Sequence, residues 1–449
     1  MKQKSPNLAV HWNTTPLARI LGPMQEFIHQ AQSSGIVLLV LTVLALVIAN
    51  SPLHAGYTAL LETHVGLTAG SLVLEESVLH WVNDGLMALF FFLVGLEIKR
   101  EVLVGELANP RAAALPILAA IGGVLVPAGI YILLNRGGDG VRGWGVPMAT
   151  DIAFALGCLA LLGDRVPLGL KVFLTAVAIV DDLMAVLVIA LFYASGLHLV
   201  WLGAGLGLLL LLALANRFGI RSPIVYASLG VLVWLAFLHS GVHATIAGVL
   251  VALTIPARRQ IDAPTFLARA YGILRQFEEN GHAARGRQAV EAQQSAVLEL
   301  EEACEQVQAP LQKMEHALHG WVAFAIMPVF AFANAGVAVS ATALGFDSFP
   351  ILLGIVLGLT LGKPLGILGA CWLAVRAGVA ELPQGVTWQH MLGVGILAGM
   401  GFTMSLFIAS LAFADSDTLA TAKLAILLAS LLAGAIGFLV LRQVTRQPG

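Results

Sequence analysis

The sequence predicts an all-α protein that crosses a membrane twelve times. Of its 449 residues, 58% are hydrophobic and only 11% are charged, and the mean hydropathy is +0.88. A soluble domain of this size needs far more polar surface than this composition supplies. Apolar segments of about 20 residues, the length that crosses the hydrocarbon of a bilayer, recur between short polar breaks. A polytopic membrane protein therefore follows from composition and segment length together.

The twelve predicted spans divide the chain into membrane and non-membrane parts. Their approximate bounds are 35–50, 78–100, 113–134, 146–163, 168–194, 199–216, 222–240, 242–256, 318–340, 350–376, 388–413 and 417–441. Residues 1–34 form a predicted N-terminal segment, 35–256 hold spans one to eight, 257–317 form a connector, and 318–449 hold the last four spans and a tail. If the N-terminus is cytoplasmic, 20 of the 24 lysines and arginines fall inside, so both termini are predicted there.

Two non-membrane pieces carry patterns of their own. Residues 51–77 predict a small external β-hairpin, with an ordinary loop as the alternative, because residues typical of strands surround Gly66 and Gly70: Tyr57, Thr58, Val65, Thr68, Val73 and Leu74. The stretch 257–315 contains sixteen charged residues, and from about Gln288 to Cys304 it is rich in Glu and Gln. This second piece is predicted to be a solvated cytoplasmic connector with an exposed helix.

Two spans contain residues that weaken a helix. In the fourth span, Pro147 is followed by Thr150 and Asp151, and in the eleventh span Gly399 and Gly401 interrupt the apolar run. Discontinuous membrane helices free carbonyl and amide groups that can face a polar cavity, which is typical of ion sites in transporters. The alternative is that the glycines only allow neighbouring helices to pack closely.

Four ionisable side chains lie within the predicted spans: Asp151, Asp181, Asp182 and Lys363. Each such group costs roughly 2.5–3.5 kcal/mol at the bilayer centre, so a polar pathway is the default explanation. Asp181 and Asp182 point about 100° apart on a helix, so one can line a cavity while the other meets a partner. Either acid could simply pair with Lys363, but one ammonium cannot neutralise three carboxylates. Crowded acids in a low dielectric make proton uptake compete with cation binding.

Lys363 lies on a span in which glycines recur at four-residue intervals. These are Gly354, Gly358, Gly362 and Gly366. The spacing stacks the glycines into a stripe that lets another helix approach closely. We therefore expect the ammonium beside a tight helix contact, with snorkelling to the membrane interface as the alternative.

Charged residues also cluster at the predicted cytoplasmic ends of two spans. One cluster holds Glu97, Lys99, Arg100 and Glu101, and the other holds Glu315, His316 and His319 just before the ninth span. Histidine titrates near physiological pH, so these clusters could sense cytoplasmic protons. Charges at a helix end are more often membrane anchors, and the residues alone favour that interpretation.

Several function classes receive no support from the sequence. The three cysteines Cys158, Cys304 and Cys371 form no CxxC pair, and the histidines show no metal-ligand spacing, so no cofactor or resident metal is expected. His243 is interpreted as structural. No HExxH or GxSxG motif is present, which argues against a membrane enzyme. The formal charge of −2 gives no indication of a nucleic-acid partner.

Five motifs together resemble the NhaA family of bacterial sodium/proton antiporters. They are Ala149–Leu156, Ala178–Leu183, Phe330–Gly336, Gly362–Gly366 and Gly401–Ser405. The resemblance implies twelve helices, with helices 3–5 and 10–12 as inverted repeats and helices 4 and 11 unwound where they cross. It implies Asp182 as the principal Na+ ligand and proton carrier, and Asp181 as a second ligand or the partner of Lys363. It also places Thr150 and Asp151 at the unwound part of helix 4, where Asp151 and Lys363 balance half-helix dipoles.

The resemblance also implies an activity and its setting. It implies electrogenic, pH-regulated exchange of cytoplasmic Na+ or Li+ for external protons in the bacterial inner membrane, by a lipid-embedded homodimer joined through the 51–77 hairpin. Against the anchor interpretation, it assigns pH sensing to the cytoplasmic residues Glu97, Arg100, Glu101, Glu315, His316 and His319. Two departures are notable: the connector is longer than is usual in the family, and Gly320 replaces a usual proline. A cation channel using the same carboxylates is the alternative.

Overall fold

The computed structural model describes residues 33–69, 72–194, 196–283, 287–338 and 348–445. Each of the twelve predicted spans is helical in the described ranges, either as one helix or as consecutive pieces. The spans, in order, are Ser33–Ala49, Val78–Val104, Pro110–Leu134, Asp139–Leu162, Leu168–Phe192, Leu199–Arg217, Pro223–Leu238, Thr245–Thr254, Pro310–Ala335, Phe349–Arg376, Trp388–Ala412 and Ser416–Val444.

Not all of these helices are long enough to cross a membrane unaided. Among the described residues, seven helices are long and apolar enough to do so, or nine when each of two bent pairs counts as one span. The seventh and eighth spans are shorter, at 16 and 10 residues. The second span carries Glu97, Lys99, Arg100 and Glu101 near its end, which lowers its apolar content. Length alone thus identifies fewer spans than the hydropathy pattern does.

The ninth span begins earlier than the sequence predicted. It starts at Pro310 rather than near residue 318, because proline fits the first helical position and Ala309 before it is extended. The first turns of this helix are polar, so hydropathy did not reveal them. As a result, Glu315, His316 and His319 lie on the helix itself and not before it.

The external segment after the first span contains the predicted hairpin. Helix His54–Glu62 bends away from the first span by 112° and leads into strands His64–Ala69 and Leu72–Ser77. The strands pair antiparallel, with His64 opposite Ser77 and Ala69 opposite Leu72. The hairpin prediction is confirmed.

The third and tenth spans form the close antiparallel contact that positions Lys363. The Asn135 side chain donates to the Pro350 carbonyl at one end (3.1 Å), and Gly122 and Gly366 face each other backbone to backbone further along. A Cβ on Gly362 would lie 2.9 Å from Cα of Pro127. The glycine stripe of the tenth span therefore faces the third span, as the four-residue spacing indicated.

The two halves of the membrane domain share one arrangement. Spans three to five consist of a helix, a broken helix and a helix, and spans ten to twelve repeat this order. Because the third and tenth spans are antiparallel, the two triplets run in opposite directions, and the discontinuous fourth and eleventh spans meet between them.

The connector is an antiparallel pair of helices, Ala263–Ala283 and Arg287–Val307. The Arg269 guanidinium donates to the Gln306 side chain (2.9 Å), and the Gln260 amide donates to the Gln306 carbonyl (3.0 Å), so the start of the pair lies beside its end. The second helix matches the predicted exposed helix, and the first helix is additional to the prediction.

Candidate ion-binding site

The site is built where the two broken spans cross. In the fourth span a short helix ends at Met148, residues up to Asp151 are extended, and a second helix begins at Ile152. In the eleventh span, helix Trp388–Leu397 and helix Phe402–Ala412 meet at a bend of 46°. The Asp151 amide donates to the Met400 carbonyl (2.6 Å) and joins the two breaks. Four half-helix ends therefore meet in the membrane, and their free backbone groups need partners.

Asp151 satisfies both of the helix N-termini at this crossing. Its Oδ1 accepts from the Phe154 amide (3.1 Å), while its Oδ2 accepts from the Thr403 amide (3.1 Å) and the Thr403 hydroxyl (2.5 Å). The side chain is 1% exposed. A carboxylate at two helix N-termini is stabilised by both helix dipoles. Asp151 thus has a defined structural role as a shared N-cap.

Lys363 provides the opposite charge at a helix C-terminus. Its ammonium donates to the carbonyl of Met148, the last residue of the first half-helix in the fourth span. It also lies 2.6 Å from Oδ2 of Asp181, and both side chains are fully buried. The cation therefore faces the negative end of a helix dipole and one carboxylate together. Because the side chain is buried in this way, it does not snorkel to the interface.

Asp181 is the acid that Lys363 engages. Its Oδ2 also accepts from the Thr150 hydroxyl (2.6 Å), and Thr150 Oγ1 lies 2.9 Å from the Ala398 carbonyl of the eleventh span. The other carboxylate oxygen, Oδ1, is buried without a hydrogen-bond partner among the described residues. A buried acceptor without a donor is costly, so this oxygen is available for a proton or a cation.

Asp182 is the acid without a counter-charge of its own. It is 4% exposed, and its carboxylate makes no hydrogen bond or ion pair with any residue that the structure describes. Asp181, Glu97 and Asp151 add repulsion around it, and Lys363 opposes them. An ionised carboxylate in such a place is strongly unfavourable. Asp182 therefore needs a proton or a bound cation for neutralisation.

The predicted cytoplasmic clusters meet around Arg100. Its guanidinium lies 2.8 Å from Glu101 and 2.5 Å from Glu315, which joins the second span to the ninth. Glu97, one turn before Glu101, interacts electrostatically with both Glu315 and Asp182. Glu97 therefore lies close enough for its charge to be felt both at Glu315 and at Asp182.

The remaining members of the clusters have separate positions. Lys99 donates to the carbonyls of Leu253 (2.7 Å) and Ile255 (2.5 Å) and so caps the end of the eighth span. His319 is close enough to Glu315 to favour its ionised form electrostatically, and its side chain is exposed. His316 is also exposed and makes no hydrogen bond with a described residue.

Sequence reasoning missed Thr403 as a site residue. Its hydroxyl binds Asp151, and Ser405 nearby donates to the Val146 carbonyl (2.7 Å). Both lie directly after the glycines of the eleventh span, so hydroxyl residues beside a helix break were the available signal. His243 binds the Tyr193 carbonyl (3.0 Å) and lines a cavity of about 600 Å³ on the side predicted to be external.

No resident metal centre is found in the described ranges. There, no three His, Cys, Asp or Glu side chains converge as ligands for a metal ion. The acids of the site are a neighbouring pair, of which one member is already paired with an ammonium.

Comparison with known proteins identifies the family. A family model described as Na+/H+ antiporter 1 matches residues 25–441. The chain is 52% identical over 434 residues to the "Na(+)/H(+) antiporter NhaA" of Oleidesulfovibrio alaskensis, covering 96% of each chain. It is 49% identical to that of Koribacter versatilis, covering 95% of this chain and 92% of the relative.

A solved structure supports the fold independently. The sodium proton antiporter MjNhaP1 from Methanocaldococcus jannaschii at pH 8 is 12% identical, with a TM-score of 0.50 over 96% of this chain and 99% of that one. At this identity the likeness concerns the fold alone. The family match over nearly the whole chain indicates a transporter rather than an enzyme, and the apolar helices make it a multi-pass membrane protein. The chain belongs to the Na+/H+ antiporter 1 family.

Proposed function

We propose that this protein exports cytoplasmic Na+ or Li+ in exchange for external protons, electrogenically and by alternating access. The observation that carries the proposal is the contrast between two adjacent buried acids. Asp181 is paired with Lys363, whereas Asp182 has no partner among the described residues. A buried acid without a partner binds either a proton or a small cation, and family membership favours Na+ as that cation.

Competition for this acid pair couples the two ions. When Asp182 is protonated, the cation loses its main ligand and leaves. When Na+ binds, it displaces the proton, since metal ligation requires the deprotonated carboxylate. No covalent chemistry is needed, because the same oxygens serve both ions in turn.

Electrogenic exchange requires more than one proton for each cation, and the Asp181–Lys363 pair is our proposed second proton unit. If Na+ recruits the free Oδ1 of Asp181, that carboxylate no longer serves the Lys363 ammonium alone, so cation binding is coupled to the charge of the pair. Thr150, bound to Asp181 and adjacent to Asp151, is our proposed neutral ligand of the site.

Alternating access would use the crossing of the broken spans. Its half-helix ends are held by side-chain bonds of Asp151, Lys363, Thr150 and Ser405. Among the described residues, one main-chain bond, from Asp151 to Met400, joins the two breaks. Few backbone bonds join these segments, so their relative position can change without unfolding a helix. The external cavity beside His243 and the cytoplasmic cluster around Glu97 lie on the two sides from which ions would enter.

The proposed pH regulation acts through the ion pairs of Arg100. Protonation of Glu315 at acidic pH removes one of the two negative charges that hold the guanidinium, which weakens the link between the second and ninth spans. His316 and His319 lie on the same helix as Glu315 and complete the proposed pH-sensing group. We therefore expect low activity at acidic pH.

The proposed setting is a bacterial inner membrane with both termini in the cytoplasm. We propose a homodimer in which strands His64–Ala69 and Leu72–Ser77 of two copies associate, since a two-stranded sheet leaves backbone groups unpaired at its edges. Membrane lipid would surround the exposed apolar helices.

Ion exchange can be tested in everted membrane vesicles. After respiration acidifies the lumen, addition of Na+ or Li+ should release luminal protons, and K+ at the same concentration should not. Acceleration of this release by an inside-positive potential, and its slowing by an inside-negative one, would distinguish electrogenic from neutral exchange. Sodium flux in reconstituted vesicles without any movement of protons would instead indicate a channel and contradict the proposal.

A further inference from the structure

The cytoplasmic connector presents an exposed apolar surface that the membrane domain does not use. On its first helix, Leu267, Tyr271 and Leu274 are 51%, 71% and 50% exposed. They are spaced by four and three residues, so they form one stripe along that helix. Burying such side chains is favourable, and a contiguous exposed stripe of them indicates an interaction site.

The stripe is separate from the contact that holds the helix pair together. Phe266, Ala270 and Ile273 pack against the second helix, and each of the exposed residues directly follows one of them. One residue along a helix corresponds to a rotation of about 100°. The exposed stripe therefore lies beside the packed face and not opposite to it.

The second helix repeats this arrangement. Val297, 53% exposed, directly follows the buried Ala296, and Val290, 54% exposed, lies two turns before it on the same face. In an antiparallel pair of right-handed helices, residues displaced in the same rotational sense from the packed face lie on the same side of the pair. The two stripes thus combine into one surface, which we call the connector face: Leu267, Tyr271, Leu274, Val290 and Val297.

Charge argues against a membrane surface as the occupant of the connector face. Residues 263–307 contain four arginines and seven glutamates, a net charge of −3. An anionic inner leaflet attracts basic segments and repels acidic ones. By contrast, residues 1–32 contain Lys2, Lys4 and Arg19 against Glu26, a net charge of +2. The N-terminal segment is therefore complementary in charge to the connector.

The N-terminal segment also has apolar residues at matching intervals. Leu17, Ile20, Leu21, Met24, Phe27 and Ile28 are separated by steps of one, three or four residues. Gly22 and Pro23 interrupt the run, so it divides into an apolar group before them and a second one after them. An apolar segment that follows the basic residues Lys2 and Lys4 suits an apolar surface on an acidic helix pair.

The segment enters the membrane domain close to the connector. The first span packs along the ninth, with Asn50 bound to the Val337 carbonyl (2.8 Å) at their external ends. At its other end the ninth span begins at Pro310, three residues after the second connector helix ends at Val307. Thirty-two residues precede Ser33, and an extended chain reaches roughly 3.3 Å per residue, so length does not limit the contact.

We propose that the N-terminal segment of this chain docks its apolar residues, from Leu17 to Ile28, on the connector face. This assigns a partner to the long connector within the same molecule. It also links the N-terminus to the first turns of the ninth span, where Glu315 lies.

Cysteine accessibility tests the docking in the full chain. Cys158, Cys304 and Cys371 are replaced by alanine, and Leu274→Cys on the connector face is compared with Gln276→Cys, an exposed residue on another face of the same helix. A bulky maleimide added to everted vesicles reacts with whichever thiol is uncovered. Removal of residues 2–31 should accelerate labelling at 274 by about tenfold and leave labelling at 276 unchanged.

A second variant provides the same test if the truncated chain fails to insert into the membrane. Ile20→Asp with Leu21→Asp in the full-length chain should accelerate labelling at 274 to a similar degree. Equally fast labelling at 274 with and without the segment would show an open face and overturn the proposal. Equally slow labelling in all chains would show that the membrane or a second copy covers the face, and would overturn it as well.

Discussion

Two charge clusters, the buried set at the helix crossing and the proposed cytoplasmic set around Arg100, differ in how their charges are balanced. In the buried set, Asp151 and Lys363 are held by half-helix ends, and Asp182 has no partner among the described residues. In the cytoplasmic set, one arginine bridges two acids at a partly exposed position. The first arrangement leaves a site for an exchangeable ion, whereas the second joins two helices through bonds that acid can break.

The strongest expected effect distinguishes the two adjacent aspartates of the buried set. Asp182→Asn removes the exchangeable charge, and we expect Na+-dependent proton movement to fall by about a hundredfold or more in everted vesicles. The conservative change keeps the side-chain size, so the amount of protein in the membrane should not change. Asp262→Asn, on the exposed connector, is the matched control and should retain transport. Full transport by the Asp182 variant would contradict the assignment.

Loss of the Lys363 ammonium should destabilise the folded protein and also reduce transport. Lys363→Met leaves Asp181 buried without its counter-charge, and breaking such a pair costs about 3–5 kcal/mol. We expect a marked fall in the melting temperature of the purified protein. Combining Lys363→Met with Asp181→Asn removes both charges and should restore much of the lost stability. If the double variant melted no higher than the single one, pairing with Asp181 would not be what Lys363 contributes.

The close helix contact beside Lys363 can be tested with two glycines on one helix. A Cβ on Gly366 would lie 2.6 Å from the carbonyl carbon of Gly122, whereas a Cβ on Gly369 would meet nothing within 4 Å. Gly366→Ala should destabilise the protein by about 1–3 kcal/mol through overpacking. Gly369→Ala should be neutral or slightly stabilising, because alanine favours a helix. Equal melting temperatures for the two variants would argue against the contact.

The smallest effect is expected in the cytoplasmic set. Arg100→Gln removes the positive charge beside Glu315, so this acid takes up its proton at higher pH. Activity should then begin at a more alkaline pH, and the maximal rate should be somewhat lower, because glutamine cannot replace the ion pairs that join the second and ninth spans. Lys313→Gln, which breaks an exposed pair with Glu305, is the control and should not shift the profile. A lower maximal rate with an unchanged pH profile would indicate that Arg100 supports the structure and does not take part in regulation.

The spans and their breaks could be predicted because the bilayer imposes strong rules on sequence. Apolar length identified the helices, and Pro147, Gly399 and Gly401 identified both discontinuities. The start at Pro310 could not be predicted from hydropathy, because the first turns of that helix are polar.

Details of the site depended on tertiary contacts that no local pattern encodes. The sequence showed that Asp181 and Asp182 point in different directions, but only the fold shows that Lys363 reaches Asp181. Thr403 lies 252 residues from Asp151, and only the crossing of the two broken spans brings its hydroxyl to that carboxylate.

Calorimetric titration of the purified protein with Na+ across a range of pH tests the central claim most directly. We expect one carboxylate to bind either a proton or Na+. At pH values low enough to protonate the site, the dissociation constant for Na+ should therefore rise by about tenfold for each further unit of pH decrease. Proton release should accompany binding, and both effects should disappear in Asp182→Asn. Na+ binding of constant affinity across this range, without proton release, would contradict the account.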